Sequence, residues 1–309
     1  MTAASCARGR CVQGAGHGVT PAGAASSASC DDSQRRRSPC GAGYDVAVTS
    51  SLPDAGRIAA VLPSATLWRS VEVIETTGST NADLAARARA GAGEGAVLVS
   101  KEQTAGRGRL DRQWVSPPGT SISMSLLLTP QQEFPQWGWL SLLAGMAVAS
   151  AVGELAGGGA PVSLKWPNDV LIRGRKVCGI LSERIEHPDG ARAVVGIGIN
   201  VDLAADQLPV PTATSLALEG LPTDQSRIVA GVLTHFERHY RSWQLRGNLR
   251  AEYEARCASV GAELTVILDG DRRVSGTGRG VDEWGRLQVT TATGIETYPV
   301  GDVVHATLA

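Results

Sequence analysis

Residues Val162 to Ser182 read VSLKWPNDVLIRGRKVCGILS, and the pattern of this stretch decides the fold class. Val162-Ser-Leu-Lys-Trp166 alternates apolar and polar side chains, the period of a half-buried strand. Pro167-Asn168-Asp169 turns the chain. Val170-Leu171-Ile172 and Val177 to Ser182 flank a tight turn at Gly174, which signals a hairpin. A Gly-punctuated strand from Ala193 to Val201 extends the meander.

Outward from this meander the period changes to that of helices. Upstream, Trp139 to Val152 is a nearly apolar run of 14 residues. A membrane span needs about 20, so a buried helix is predicted over 137–155. Downstream, Ile228, Val232, Phe236, Tyr240 and Trp243 share one helical face behind Asp224, predicting a capped helix over 224–243. Nearer the N-terminus, Thr80 and Asp83 resemble a capping box ahead of Leu84-Ala85-Ala86-Arg87-Ala88, and Gly91 closes that helix. Ala96 to Val99 reads as a buried strand, and Ile122-Ser-Met-Ser-Leu as a half-buried one. The last 50 residues or so carry short strands from Leu264 onward, an Asp269-Gly270 turn signal and breaks at Gly276, Gly285 and Gly294. These predict a mixed α/β domain over 52–257 and a small β-barrel over 258–309. Residues 1–51 form a low-complexity extension whose first 43 residues, rich in Gly, Ala, Ser and Cys with an Arg35–Arg37 run, predict disorder.

Composition narrows the function classes. The net charge of −1 argues against a polyanion binder, and no apolar h-region marks a secretory signal, so the cytoplasm is expected. The six cysteines (Cys6, Cys11, Cys30, Cys40, Cys178 and Cys257) lack zinc-site spacing and read as free thiols. Only Lys101, Lys165 and Lys176 are lysines among 29 cationic residues, so each raises the question of why an ammonium is used there.

Four motifs carry candidate chemistry. Gln103-Thr-Ala-Gly106-Arg107-Gly108-Arg109-Leu-Asp-Arg112-Gln-Trp114 pairs glycines that admit close backbone approach with arginines able to fork onto phosphates. It also reads as a solvated basic loop or an RNA contact. Lys165-Trp166-Pro167-Asn168-Asp169, followed by Gly174-Arg175-Lys176-Val-Cys-Gly179, sets two lysines beside a carboxylate, or is simply a turn with solvated lysines. Gly78-Ser79-Thr80-Asn81 is a helix start whose donors suit a neutral polar head group. Gly196-Ile-Gly198-Ile-Asn200 permits close approach of a backbone or a flat ligand.

Taken in chain order, Gly78–Asn81, Gln103–Arg109, Lys165–Asp169, Gly174–Leu181 and Gly196–Val201, the motifs over roughly residues 70–309 resemble the biotin–protein ligases. The resemblance implies a class II synthetase-like mixed sheet with helices packed on one side, plus an SH3-like C-terminal domain. It implies ATP-dependent formation of biotinyl-5'-AMP and transfer of biotin to a lysine of the carrier domain of an acyl-CoA or pyruvate carboxylase. It implies that Ser79, Thr80, Asn81 and Gln103 hold biotin's ureido ring. Gly106, Arg107, Gly108, Arg109 and Gly179 would line the rest of biotin, with Arg107 at its carboxylate. Lys176 would lie between that carboxylate and the α-phosphate. Arg109, Arg112, Lys165 and Asn168 would serve ATP, Trp114 and Asn200 the adenine, and Asp169 a Mg²⁺ ion. Catalysis is expected from Lys176, Arg107, Arg109 and Asp169, with no tightly bound cofactor, in a monomer or weak homodimer.

Two departures qualify the resemblance. Members often have Gly-Arg-Gly-Arg-x-Gly-Arg, whereas Leu110-Asp111 stands here, and Asp111 is expected to point outward. Repressor-type members carry an N-terminal winged helix-turn-helix, but residues 1–51 lack its periodicity, so the type without a DNA-binding domain is implied. A lipoate or octanoate ligase shares the adenylate logic; the Gly-Arg loop argues for biotin. A nucleic-acid-binding regulator is the reading from another class, disfavoured by the charge and by 4% aromatics.

Overall fold

The computed structural model describes residues 51–110, 112–268 and 272–305. The expectations for the N-terminal extension, its four cysteines, Asp111 and the Asp269-Gly270 turn lie outside those residues.

The chain runs through α1 (Ala55–Val61), β1 (Ser70–Thr77), α2 (Thr80–Arg89), β2 (Ala96–Gln103), β3 (Ser121–Leu128) and α3 (Gly138–Leu155). The predicted meander follows as β4 (Val162–Lys165), β5 (Asp169–Ile172), β6 (Arg175–Ile185) and β7 (Arg192–Asn200). Then come α4 (Gln225–Arg246), α5 (Arg250–Glu254), β8 (Glu263–Ile267), β9 (Arg273–Val281), β10 (Leu287–Thr291), β11 (Gly294–Tyr298) and β12 (Asp302–His305).

One sheet has the order β1-β2-β3-β7-β6-β5-β4. It is mixed: β1 and β2 pair in parallel across α2, and the other neighbours are antiparallel. The last five strands form an antiparallel sheet, β11-β10-β9-β8-β12.

The apolar run became the core helix α3, in which every residue from Trp139 to Val152 except Ser141 is buried. The stripe Ile228, Val232, Phe236, Tyr240 and Trp243 of α4 is buried with it, behind the Asp224 cap. Each such side chain contributes about 1.5–3 kcal/mol when fully removed from water. Two indole N–H groups tie the second sheet to this core: Trp139 Nε1 donates to Glu283 O (2.8 Å) and Trp166 Nε1 to Gly285 O (3.0 Å).

Helices do not all lie on one side. Leu84, Ala85 and Ala88 of α2 pack on Leu98, Leu127, Ile185 and Val194, a cluster separate from the one that α3 and α4 fill. The strand at Ile122 is also not half-buried, because all eight residues of β3 are covered. Its alternation is real: Ile122, Met124 and Leu126 join the main core. The serines face the other way and are hidden too, Ser125 against Thr80 and Asn81 of α2. A second adjustment concerns the cap of α2. Ser79 accepts from Ala82 N, one residue earlier than the expected Thr80 box, and Asp83 instead accepts from Thr77 Oγ1 (2.6 Å).

Candidate functional site

On the α2 face, β3, β7 and β6 place small residues in register. Ser123 pairs with Gly198, which pairs with Gly179, and Ser125 pairs with Gly196. Small side chains across three strands leave the floor of a cavity of about 290 Å³. What approaches these glycines is the chain itself. A Cβ on Gly198 would lie 2.5 Å from Trp114 Cε2, one on Gly179 2.9 Å from Trp114 Cζ3, and one on Gly196 2.2 Å from Asn81 Oδ1. The Trp114 indole therefore sits on the glycines, and its Nε1 is buried with no partner among the described residues.

One end of the cavity is neutral and polar. Ser79, Thr80 and Asn81 begin α2 there, beside Gln103 at the end of β2. Gln103 Oε1 accepts from Thr80 N (2.8 Å) and Thr80 Oγ1 (3.0 Å). Ser125 Oγ donates to Asn81 Oδ1 (2.6 Å), and Asn81 Nδ2 donates to Glu183 Oε2 (2.7 Å). Such a fixed set of donors and acceptors recognises an uncharged group of defined shape.

The other end is cationic. Asp169 Oδ1 lies 2.5 Å from Lys176 Nζ, and Asp169 Oδ2 lies 3.6 Å from Lys165 Nζ. Asn168 Nδ2 donates to Ile180 O (2.9 Å), and its Oδ1 accepts from Arg109 Nη1 (3.2 Å). Burial pulls the pKa of Arg109 down from its ordinary value, and the Asp169 charge opposes that pull. Three side-chain cations around one carboxylate leave an excess of positive charge, suited to an anionic group entering from solvent.

The Gly-Arg segment is a small hairpin over the cavity. Trp114 N donates to Gly106 O (2.9 Å), and Gly108 N donates to Arg112 O (2.6 Å). A Cβ on Gly106 would lie 2.3 Å from Trp114 O, so that glycine serves closure of the hairpin. Leu110 takes φ +52°, a left-handed conformation that costs an L-residue about 1–2 kcal/mol. Arg112 pairs with Asp302 of β12, and Arg109 Nη1 lies 3.7 Å from Asp302 Oδ1. The hairpin is thereby tied to the C-terminal sheet.

Most of the expected residues converge. Ser79, Thr80, Asn81, Gln103, Arg107, Gly108, Arg109, Arg112, Trp114, Lys165, Asn168, Asp169, Lys176 and Gly179 all line the cavity. Gly106 lines the adjoining open cleft instead. Arg107 is paired with Glu183, Nη2 to Oε1 at 3.1 Å. Asn200 does not line this cavity: it is buried and its side chain donates to Thr214 O (3.0 Å), bracing a loop. Cys178 and Cys257 are buried free thiols, and burial pushes the Cys178 thiol far above its ordinary range.

Sequence reasoning missed Ser123, Glu183 and Asp302. The alternating serines of β3, matched to the glycines of β7, were the available signal for Ser123. Asp302 stands far from every motif and carried none.

A profile described as the Biotin/lipoate A/B protein ligase family matches residues 70–200, and one described as the Biotin protein ligase C terminal domain matches residues 261–306. The chain is 41% identical over 243 residues to a biotin--[acetyl-CoA-carboxylase] ligase of Mycobacterium tuberculosis, spanning 77% of this chain and 90% of that one. It is 33% identical over 239 residues to the enzyme of that name from Paracoccus denitrificans, spanning 75% and 98%. Among solved structures, the biotin protein ligase of Aquifex aeolicus in complex with biotin and ATP superposes with a TM-score of 0.65 at 28% identity, covering 77% of this chain and 99% of that one.

Proposed function

The chain belongs to the biotin–protein ligase family, and on that premise we propose which parts of its cavity carry each step of the reaction. The reaction condenses biotin with ATP to biotinyl-5'-AMP and then passes biotin to a carboxylase lysine. One observation carries the assignment: a single cavity has neutral hydrogen-bonding groups at Thr80, Asn81 and Gln103, and cations at Lys165, Lys176 and Arg109.

At the neutral end, Ser79, Thr80, Asn81 and Gln103 hold the ureido group; Trp114, expected at the adenine, lies on Gly198 and Gly179, and we assign it to the wall around the apolar rings of biotin instead. Lys176 and Arg107 meet the carboxylate, with Arg107 exchanging Glu183 for it. Arg109 and Arg112 serve the phosphates, and Lys165 and Asn168 support them.

A carboxylate oxygen of biotin attacks the α-phosphorus, the bond to the β-phosphate oxygen breaks, and pyrophosphate leaves. Two anions must meet, and fixed cations in a shielded site remove that repulsion and stabilise the transition state. A neutral lysine amine of the partner then attacks the acyl carbon. The acyl–oxygen bond breaks, AMP leaves, and the amine proton passes to solvent.

Magnesium was expected at Asp169, and the donor set there does not fit a protein-held ion. Both carboxylate oxygens face ammonium groups, at 2.5 and 3.6 Å. Among the described residues no group of three or more His, Cys, Asp or Glu could hold a metal. An ion arriving with ATP would be held mainly by phosphate oxygens and water.

The partner is the carrier domain of an acyl-CoA or pyruvate carboxylase. The ligase works in the cytoplasm as a monomer or weak homodimer, without DNA.

The test is the intact mass of a carrier domain after incubation with the chain, Mg-ATP and either biotin or lipoate. We expect gain of one biotinyl group and no lipoyl transfer. No transfer, or transfer of lipoate alone, overturns the reading.

A further inference from the structure

Lys176 should not face the cavity at all if β6 were regular. Cys178 and Ile180 point into the main core, and residue 176 shares their parity. The β5–β6 register explains the exception: Val170 pairs with Cys178, but Leu171 pairs with Lys176. Val177 is thus an extra residue, a β-bulge, and bulges re-aim the side chains beside them. Lys176 turns to the Gly179 side, where a Cβ on Gly179 would lie 3.4 Å from its Nζ.

A bulge disrupts its ladder locally, so something else must hold the backbone of Lys176. That partner is the segment around Ala213. Lys176 N donates to Thr212 O (2.8 Å), and Thr214 N donates to Lys176 O (2.8 Å). The segment is itself held by Glu219, whose Oε1 accepts from Thr214 Oγ1 (2.7 Å). The same carboxylate receives Arg173 Nη1 and Arg175 Nη2, each at 2.6 Å. Those two arginines flank Gly174 at the tip of the hairpin that leads into Lys176, and Arg173 takes the left-handed φ of +48°.

We propose that Glu219 is a positioning residue for the ligase reaction: it joins the Arg173–Arg175 turn to the Thr214 segment and so aims Lys176 into the cavity. Its side chain is 1% exposed beneath arginines that are 54% and 45% exposed. Burial works against its ionisation, but the Thr214 hydroxyl and the two guanidiniums outweigh burial and hold its pKa below the ordinary carboxylate value. Glu219 does not line the cavity, so it acts through Lys176 and not on a ligand. Asn200 belongs to the same support, because its side chain holds Thr214 O and its own carbonyl accepts from Leu216 N (3.1 Å).

The role assigned to Lys176 rests on the biotin ligase reading, and the test separates the two. Glu219→Gln keeps the shape and removes the charge. Biotin-dependent exchange of pyrophosphate into ATP should lose about tenfold to a hundredfold in kcat, the scale of a misplaced group, with KM for biotin and ATP nearly unchanged. In a Lys176→Ala background the same substitution should cost nothing further, since coupled residues are non-additive. An unchanged kcat, an additive loss, or a loss carried by KM overturns the proposal. Should Glu219→Gln fail to fold, Thr214→Val removes only the hydroxyl contact and should still lower kcat; no change overturns it equally. A crystal structure of Glu219→Gln gives the readout that needs no substrate: Lys176 should leave Asp169, and an intact contact overturns the proposal. Wild-type protein without biotin-dependent exchange would instead overturn the ligase reading alone.

Discussion

Lys176 Nζ lies 2.5 Å from Asp169 Oδ1, while Lys165 Nζ stands 3.6 Å from the other oxygen of the same carboxylate. The two lysines are therefore held by one acid but not equally. Lys176 has the closer ion pair and a backbone bulge that aims it. We predict that Lys176→Ala lowers adenylate formation by about 10²–10³, the usual cost of losing one transition-state donor. Lys165→Ala should cost no more than about tenfold, or 1.4 kcal/mol of barrier. Single-turnover adenylation measures both, and equal losses would mean that the ranking is wrong.

Trp114 rests on Gly198, so even a methyl group there must displace the indole. We predict that Gly198→Ala weakens biotin binding by roughly tenfold, because a pushed ring no longer walls the rings of the ligand. Overpacking usually costs about 1–3 kcal/mol of stability, but Trp114 sits on a hairpin that can yield, so the melting temperature should fall little. Gly153 in α3 has nothing within 4 Å of an added Cβ, and Gly153→Ala is the control. Calorimetric titration with biotin checks the pair; identical affinities would remove Trp114 from the biotin site.

Acid should weaken the fold through His239 of α4. Burial first, then the charges of Arg238, His235 and Arg256, push its pKa from 6.5 down to about 4, against the opposing Glu252. The histidine stays neutral in the folded chain, whereas the unfolded chain takes up a proton below about pH 6.5. Its stabilising contribution is thus complete above pH 6.5 and is lost as pH falls towards 4. Solvent screening leaves roughly 1–2 kcal/mol of effect. Thermal melts at pH 7 and pH 5 should show a smaller drop for His239→Gln than for the natural chain. Parallel curves would exclude this histidine as the cause.

How far the sequence could be read depended on how far apart the contacting residues lie. The α4 stripe and its Asp224 cap are local, and they were legible. So was the demand of Gly196 and Gly198 for a close neighbour. The neighbours themselves, Asn81 and Trp114, come from more than 80 residues upstream, and no local pattern names them. β3 was read as half-exposed because alternation shows that a strand has two kinds of face, not that both are covered. Asn200 was assigned to the adenine through the family resemblance, and nothing local in its motif announces that its amide also braces Thr214. The bulge at Val177 left no mark in the sequence, although it decides where Lys176 points.

The hairpin and the C-terminal sheet are joined through Asp302, and this contact gives Arg109 a definite job. Arg109 donates to Asn168 Oδ1 (3.2 Å) and Gly301 O (3.1 Å) and faces Asp302, which also pairs with Arg112. The guanidinium thus holds the Gly106–Arg112 hairpin down over the site where the adenylate would lie. Arg109→Gly removes those contacts and adds backbone freedom to a segment that already has two glycines. Adenylate should still form, because Lys176 and Arg107 remain, but it should escape sooner and label exposed lysines on unrelated proteins. One charge-assisted hydrogen bond is worth about 1.5–3 kcal/mol, so release should speed up roughly tenfold to a hundredfold. Asp302→Asn separates two accounts of this effect. If the tie to the C-terminal sheet keeps the hairpin closed, Asp302→Asn should raise bystander labelling as Arg109→Gly does. If Arg109 acts only by gripping the phosphates, Asp302→Asn should leave labelling at the wild-type level. The measurement is biotin incorporation into a lysine-rich bystander mixed with each variant, biotin and ATP; no rise in either variant would place the retaining contact elsewhere.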